Sequence, residues 1–151
     1  MESFDMNDVI RGYATVRPFG GYQMPVPVQN LVMRNYASNL GFNYILPMNE
    51  HKFEGCFMQL FASLHLMERG DRLVMCSASM LPSERPLRIR LFEIADQKQI
   101  EFHFPFENLI LSTNFEFEKL EEINLLRGIA DEVDRDAHAL VSELNEFLVS
   151  Q

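Results

Sequence analysis

The run IRGYATVRPFGGYQMPVPVQNLVMRNYASNLGFNYIL, residues 10–46, decides the fold because it predicts one helix between two strands. Residues 10–16 are rich in β-branched and aromatic side chains and end before Pro18, which favours a strand. Residues 17–30 hold three prolines and two adjacent glycines, a composition typical of a long loop. From about Val28, apolar residues recur at helical spacing as far as Gly41, a common helix C-cap. Residues 42–46 then predict the second strand.

The same alternation of helix and strand continues beyond this unit. Helices are predicted at about 55–69 and 86–97, and strands at about 73–76 and 100–106. Strands that alternate with helices are typical of a parallel sheet with right-handed crossovers. We therefore expect an α/β fold, a three-layer parallel-sheet domain with flavodoxin-like strand order that covers residues 1–111.

Residues 112–151 follow a different pattern. Thr113 and Glu116 have the spacing of a capping box. Apolar residues then repeat at alternating intervals of three and four, as in a coiled-coil seam: Ile123, Leu126, Ala130, Val133, Ala137, Leu140, Leu144 and Phe147. This pattern predicts a long helix that packs on the same domain and forms a homodimer. Alternatively, Gly128 or the polar run DEVDRD, residues 131–136, divides it into two ordinary helices.

Charge is distributed unevenly along the chain. Thirteen Lys and Arg against 22 Asp and Glu give a net charge of −9, which disfavours nucleic-acid binding. Residues 1–90 hold nine basic and eight acidic groups, whereas residues 91–151 hold four and fourteen. The near-neutral first part can still bind a small anion.

The sequence also bears on the compartment. Cys56 and Cys76 are too few for a disulfide framework, and no signal-peptide pattern opens the chain. The most apolar stretch, residues 57–67, is too short to span a bilayer. We expect a cytoplasmic protein with no membrane span.

A ligand site is expected where the parallel strands end, because ligands of open α/β sheets bind at that edge. Arg17 begins the long loop after the first strand, where a guanidinium suits a phosphate or carboxylate. The predicted ligand-binding residues are Arg17, Tyr22, Gln29, Asn30, Glu50, Ser77 and Ser79. Alternatively, Arg17 pairs with a loop acid or stacks on Phe19 or Tyr22, and Gln29 and Asn30 cap the first helix.

No complete catalytic or metal motif is present. His51, His65 and His103 form no metal-ligand spacing with the two cysteines, so we expect no metal and no cofactor. We expect His65 to be a core residue on a buried helix. Glu50, His51 and Ser79 form the candidate catalytic set, as acid, base and nucleophile.

Several segments resemble the catalytic domain of serine recombinases, or resolvases. These are GYATV (12–16), Gln29 and Arg34 on the first helix, ERGDRLVM (68–75) and the long C-terminal helix. The resemblance implies a resolvase-like fold without its chemistry. The family's nucleophilic serine corresponds to Arg17, and its arginine two residues earlier corresponds to Thr15. Its aspartate and arginines after the third strand correspond to Ser79, Met80 and Ser83.

The chain is more similar to the sporadic carbohydrate cluster proteins of bacteria. The resemblance lies in RGYATVRPFGGYQMPVPVQNLVMRNYA (11–37), YILPMNEHKFEGCFMQL (44–60) and SASMLPSERPLR (77–88). That family is encoded among genes for surface polysaccharide, which implies an accessory role in glycan biosynthesis with a nucleotide sugar or sugar phosphate as ligand. The alternative is a non-catalytic protein that docks a glycan-pathway enzyme.

Overall fold

A computed structural model describes residues 8–21, 23–50, 53, 55–112 and 114–150, without the side chains of 114, 115 and 123–132. Two compact units divide the chain, Met1–Asn114 and Phe115–Gln151. The first unit confirms the predicted α/β class.

A five-stranded sheet forms the centre of the first unit. Its strands are β1 (Val9–Gly12), β2 (Asn43–Ile45), β3 (Arg72–Val74), β4 (Glu101–Phe104) and β5 (Leu109–Leu111). They lie in the order β2-β1-β3-β4-β5. The first four strands are parallel, and β5 pairs with β4 in the antiparallel direction.

Strand β5 was not predicted. The alternation of apolar and polar residues that predicted the fourth strand was followed only as far as Phe106. A single 3₁₀ turn at Pro105–Glu107 ends β4 instead. Asn108 then adopts a left-handed conformation (φ 50°) that lets the chain turn back, a conformation in which asparagine is enriched. The chain therefore returns beside β4 over three residues.

Three helices connect the parallel strands: α1 (Val26–Leu40), α2 (Met58–Leu66) and α3 (Arg85–Lys98). Helix α1 begins before the predicted Val28, because proline is tolerated in a first helical turn, where its missing N–H is not needed. Helix α2 is shorter than predicted, since Met67 is already extended.

The interior holds apolar side chains from the sheet and its helices, among them Ile10, Leu73, Phe102, Met33 and Leu91. Gly12 is required on β1 because Tyr44 of the neighbouring strand packs against its backbone. A Cβ atom at position 12 would lie 2.5 Å from Tyr44 Oη, which is inside van der Waals contact.

His65 is exposed, so its predicted place in the core is wrong. Helix α2 buries Leu60, Ser63 and Leu64 instead. The helix is amphipathic although most of its residues are apolar, and His65 lies on its outer surface together with the exposed Leu66.

The second unit is one helix, α4, which extends from Asn114 to Val149. It continues through Gly128, so the alternative of two helices broken there is wrong. Its 36 residues make it about 54 Å long at 1.5 Å per residue. The predicted cap Thr113 lies outside the described residues, as do the side chains of the seam positions Ile123, Leu126 and Ala130. The other five seam side chains, from Val133 to Phe147, are exposed.

None of the helices in the described part of the chain is both long and apolar enough to cross a membrane.

Candidate ligand site at the carboxyl edge of the sheet

The parallel strands end at one edge of the sheet, where the loops after β1, β2, β3 and β4 begin. The strand order reverses between β1 and β3, because β2 lies on one side of β1 and β3 on the other. In open α/β sheets this reversal leaves a crevice for ligands. A parallel bridge between Ala14 and Asn49 continues the pairing of the β1 and β2 ends beyond the strands.

Arg17 is held in a fixed position at this edge. Its Nε donates to Thr15 Oγ1 (3.1 Å), its Nη1 to the carbonyl of Cys56 (2.7 Å) and its Nη2 to Tyr13 Oη (3.2 Å). The guanidinium carbon lies 4.0 Å from the centroid of the Phe57 ring, a cation–π distance. The stacking partner is therefore Phe57, rather than Phe19 as in one of the alternatives.

Glu50 is almost completely buried, with 4% of its surface exposed, and caps helix α2. Its carboxylate accepts from the N–H groups of Gln59 (3.1 Å) and Leu60 (3.2 Å), in the first turn of the helix. It also accepts from Tyr13 Oη at 2.9 Å. Tyr13 therefore connects Glu50 with Arg17, and burial followed by the charge of Glu50 raises the pKa of its phenol far above the usual value.

Gln29 and Asn30 have structural partners in this fold. The side chain of Gln29 is fully buried, accepts from Thr15 N (3.1 Å) and donates to the carbonyls of Thr15 (2.6 Å) and Met24 (2.8 Å). Asn30 Oδ1 accepts from Tyr44 Oη at 2.8 Å. The helix starts at Val26, so neither residue is the helix cap proposed as an alternative. Gln29 instead holds the end of β1 against the loop before α1.

Ser77 and Ser79 form a second cluster with Glu107, a residue that the sequence analysis did not select. Ser77 Oγ donates to Glu107 Oε1 (2.5 Å) and lies 2.7 Å from Ser79 Oγ. Both carboxylate oxygens of Glu107 also accept from the N–H of Ala78 at 3.2 Å. Ser77 is buried, Glu107 is half-buried and Ser79 is exposed. A glutamate directly after the predicted fourth strand was the signal available in the sequence.

These contacts place the predicted residues in two groups. Arg17 and Glu50 share Tyr13, whereas Ser79 contacts Ser77, which in turn donates to Glu107. Within the described residues, no contact joins Glu50 to Ser79. Tyr22 and His51 lie outside the described residues, so the catalytic combination of Glu50, His51 and Ser79 stays a prediction.

Cys76 is disfavoured as a nucleophile at this edge. Burial, and secondarily the charge of Glu107, raises the pKa of Cys76 to about 12. Its thiol is therefore protonated at neutral pH, and protonated thiols are poor nucleophiles. In the part of the chain that the structure describes, no three His, Cys, Asp or Glu side chains are grouped to hold a metal ion.

The arginines near the start of α3 do not converge on one anion site. Arg88 Nη1 donates to the carbonyls of Pro82 (3.0 Å) and Ser83 (2.6 Å), whereas the guanidinium of Arg90 lies 5.5 Å from the Phe61 ring. Arg85 is exposed. Arg17, by contrast, is held in the loop after β1.

His103, in β4, belongs to a separate hydrogen-bond network with Tyr36 and Glu101. Its Nδ1 lies 2.7 Å from Tyr36 Oη and its Nε2 lies 2.5 Å from Glu101 Oε1. Arg72 Nε is 3.8 Å from the same carboxylate oxygen. Only 1% of the histidine surface is exposed, and this burial lowers its pKa although the hydrogen bond to the Glu101 carboxylate acts in the opposite direction. His103 therefore lies within the strand instead of at its open end.

Comparison with known proteins supports the fold. The N-terminal catalytic domain of TP901-1 integrase, a crystal structure, matches with a TM-score of 0.57 over 83% of this chain and 98% of that domain. The sequence identity is 13%, so the likeness shows a resolvase-like fold and nothing about activity. No family model matches the sequence, and no curated protein matches it.

Proposed function

We propose that the protein binds an anionic small molecule, such as a sugar phosphate or nucleotide sugar, at Arg17 and acts in bacterial surface-glycan biosynthesis. The observation that carries the proposal is the guanidinium of Arg17, which hydrogen bonds and stacking hold in the loop after β1. The glycan context rests on the resemblance of residues 11–37, 44–60 and 77–88 to sporadic carbohydrate cluster proteins.

Arg17 suits anion binding because its position is set before any ligand arrives. Three of its five N–H groups donate to Thr15, Cys56 and Tyr13, and the remaining two have no partner among the described residues. An arginine already held by hydrogen bonds and stacking loses less side-chain entropy when it binds a phosphate. Its planar fork can then offer a bidentate contact.

Thermal unfolding in the presence of nucleotides, nucleotide sugars and sugar phosphates tests the proposal. A ligand at a hundred times its dissociation constant adds about 2.7 kcal/mol to the free energy of unfolding, a shift that is readily measured. We expect stabilisation by at least one phosphate-bearing compound. If none of them stabilises the protein at millimolar concentration, anion binding is wrong.

The variant Arg17→Lys assigns the site. Lysine keeps the positive charge but cannot donate to three fixed acceptors and to an anion at once. We expect affinity to fall about tenfold or more, which corresponds to the loss of one charge-assisted hydrogen bond. Arg34→Lys is the matched control, because Arg34 is exposed on α1 and lies 5.9 Å from the Tyr44 ring. Equal losses in both variants would place the anion elsewhere.

A second candidate function is a non-catalytic interaction protein that docks a glycan-pathway enzyme. The observation that favours it is the apolar surface of α4, where Leu140, Leu144, Phe147 and Leu148 are each more than half exposed. Co-purification of a pathway enzyme that Leu144→Asp abolishes, with no stabilisation by any phosphate compound, would support this function over the first.

We further propose that, when no such enzyme is docked, a second copy of the chain covers this surface. The exposed side chains from Val133 to Phe147 follow the three-and-four spacing that packs one helix against another. This spacing favours a partner helix with the same repeat, and an identical chain supplies one. The homodimer is tested below.

A further inference from the structure

We infer that Ser79 and Glu107 form a subsite for the hydroxyl groups of a sugar. The inference rests on the proposed function, because it assigns the uncharged part of the ligand whose anionic part Arg17 binds.

The hydrogen-bond directions in this cluster follow from its chemistry. A carboxylate has only acceptor oxygens, so the single hydroxyl hydrogen of Ser77 points to Glu107 Oε1. Ser77 Oγ therefore accepts from Ser79, from both the backbone N–H (3.1 Å) and the hydroxyl (2.7 Å). The hydroxyl hydrogen of Ser79 is used inside the cluster.

The cluster therefore presents hydrogen-bond acceptors to a ligand, because its own hydroxyl donors are already used within the cluster. Ser79 is exposed, and its oxygen keeps its lone pairs while its hydrogen is engaged. Glu107 is half-buried, and among the described residues its Oε2 accepts only the N–H of Ala78, which it shares with Oε1. A phosphate offers acceptor oxygens and negative charge, so this cluster repels it. A sugar hydroxyl supplies the hydrogen that the cluster lacks.

The two clusters differ in the groups that they present. Arg17 presents N–H donors after β1, whereas Ser79 and Glu107 present acceptors after β3 and β4. Adjacent strands are about 4.8 Å apart, so β1 and β4, with β3 between them, are separated by roughly 10 Å. A sugar phosphate that lies across the ends of these strands would place its phosphate at Arg17 and its hydroxyl groups at Ser79 and Glu107. Opposite polarity at the two ends would orient it in one direction.

Titration calorimetry with two phosphate monoesters tests the subsite. Methyl phosphate and glucose 1-phosphate carry the same phosphate group, and only the second has sugar hydroxyls. We expect the wild-type protein to bind glucose 1-phosphate at least tenfold more tightly than methyl phosphate. A hydrogen bond to a charged group contributes about that factor.

Variants of the cluster identify the source of the preference. We expect Glu107→Gln, which replaces one acceptor oxygen by a donor, to reduce the preference for glucose 1-phosphate about tenfold, with methyl phosphate affinity unchanged. Ser79→Ala, which removes an exposed hydroxyl, should reduce the preference for glucose 1-phosphate several-fold. This second variant tests the subsite even if Glu107→Gln fails to fold. Ser83→Ala is the control, since Ser83 is exposed in the same loop and its side chain forms no contact in the described structure.

The outcomes separate the two proposals. Equal binding of both monoesters by the wild type, or an undiminished preference in Glu107→Gln and Ser79→Ala, overturns the hydroxyl subsite and leaves anion binding at Arg17 intact. If neither monoester binds at millimolar concentration while the nucleotide sugars stabilise the protein, the hydroxyl subsite alone is wrong. If no phosphate compound binds at all, both proposals are wrong.

Discussion

Single residues at the carboxyl edge show how the fold compensates for buried polar groups. Burying a carboxylate is costly unless it is hydrogen-bonded. Glu50 receives two backbone N–H groups and the Tyr13 hydroxyl, while Gln29 satisfies both the N–H and the carbonyl of Thr15. Across the described residues, no buried side-chain nitrogen or oxygen lacks a hydrogen-bond partner. These residues therefore stabilise the loops that any ligand must approach.

The burial of the His103 side chain predicts that the free energy of unfolding depends on pH. Its pKa in the folded protein lies below the usual value of about 6.5, so the unfolded chain binds more protons as the pH falls through that range. The contribution of His103 to the free energy of unfolding is fully present above about pH 6.5 and is lost as the pH falls through the folded pKa. Urea unfolding at pH 7.5 and at decreasing pH measures the loss.

The variant His103→Gln isolates this effect from the carboxylates that also titrate in acid. Between pH 7 and pH 5, the free energy of unfolding should decrease less for His103→Gln than for the wild type. This difference does not depend on how stable the variant is at neutral pH. His65→Gln is the control, because His65 is exposed on α2 and should leave the wild-type slope unchanged. Equal slopes for His103→Gln and the wild type would contradict the prediction.

At the scale of elements, helix α2 is fixed at both ends by residues that lie outside the helix. Glu50 accepts from the N–H groups of its first turn, where negative charge is favourable. At the other end, Lys98 Nζ donates to the carbonyls of Leu64, His65 and Met67 at 2.8, 2.8 and 3.0 Å. This nine-residue helix has few internal hydrogen bonds, so the hydrogen bonds to Glu50 and Lys98 determine where it starts and ends.

Replacing Lys98 should therefore destabilise the domain through α2. In Lys98→Met the aliphatic stem stays but the three carbonyls lose their charged donor. We expect the free energy of unfolding to fall by about 1 to 2 kcal/mol in urea titrations, the usual contribution of a charged hydrogen-bonded cap. Arg69→Met, an exposed cation near the same helix end, should change it by less than about 0.5 kcal/mol. A similar small change at Lys98 would show that the cap is dispensable.

At the scale of the whole molecule, charge and apolar surface are segregated between the two parts of the chain. The first 90 residues are nearly neutral, and eleven of the 22 acidic residues lie at position 107 or beyond. Helix α4 adds exposed apolar side chains to this acidic segment. A long helix with an apolar seam and negative flanks is favoured to bury that seam against another helix.

The proposed homodimer predicts a change of mass on a single substitution. Sedimentation at micromolar concentration should show a dimer for the wild type and a monomer for Leu140→Asp, because a carboxylate in the seam would be buried without a partner. Ala139→Asp is the matched control, since Ala139 is exposed on the same helix but is not a seam position. A monomeric wild type, or equal dissociation by both variants, would contradict assembly through the seam.

Much of the fold was predictable because its signals are local. The order of strands and helices follows from apolar spacing and from proline and glycine, and the continuous α4 agrees with its heptads despite Gly128. Strand β5, Leu109–Leu111, was missed because the alternation that predicted the fourth strand was followed only to Phe106, before the chain turns back at Asn108. His65 was misplaced because most residues of α2 are apolar, so the outer surface of this helix carries no clear polar pattern.

The amino-acid sequence by itself determined the class of fold and the position of Arg17 in the loop after the first strand. Only the tertiary structure decided which atoms surround these residues. Tyr13 meets Glu50 across 37 residues, Arg17 meets Cys56 across 39 and Ser77 meets Glu107 across 30. The physical reason is that periodicity acts over one or two helical turns, whereas such contacts form only after the crossovers have brought the separate strand ends to one edge.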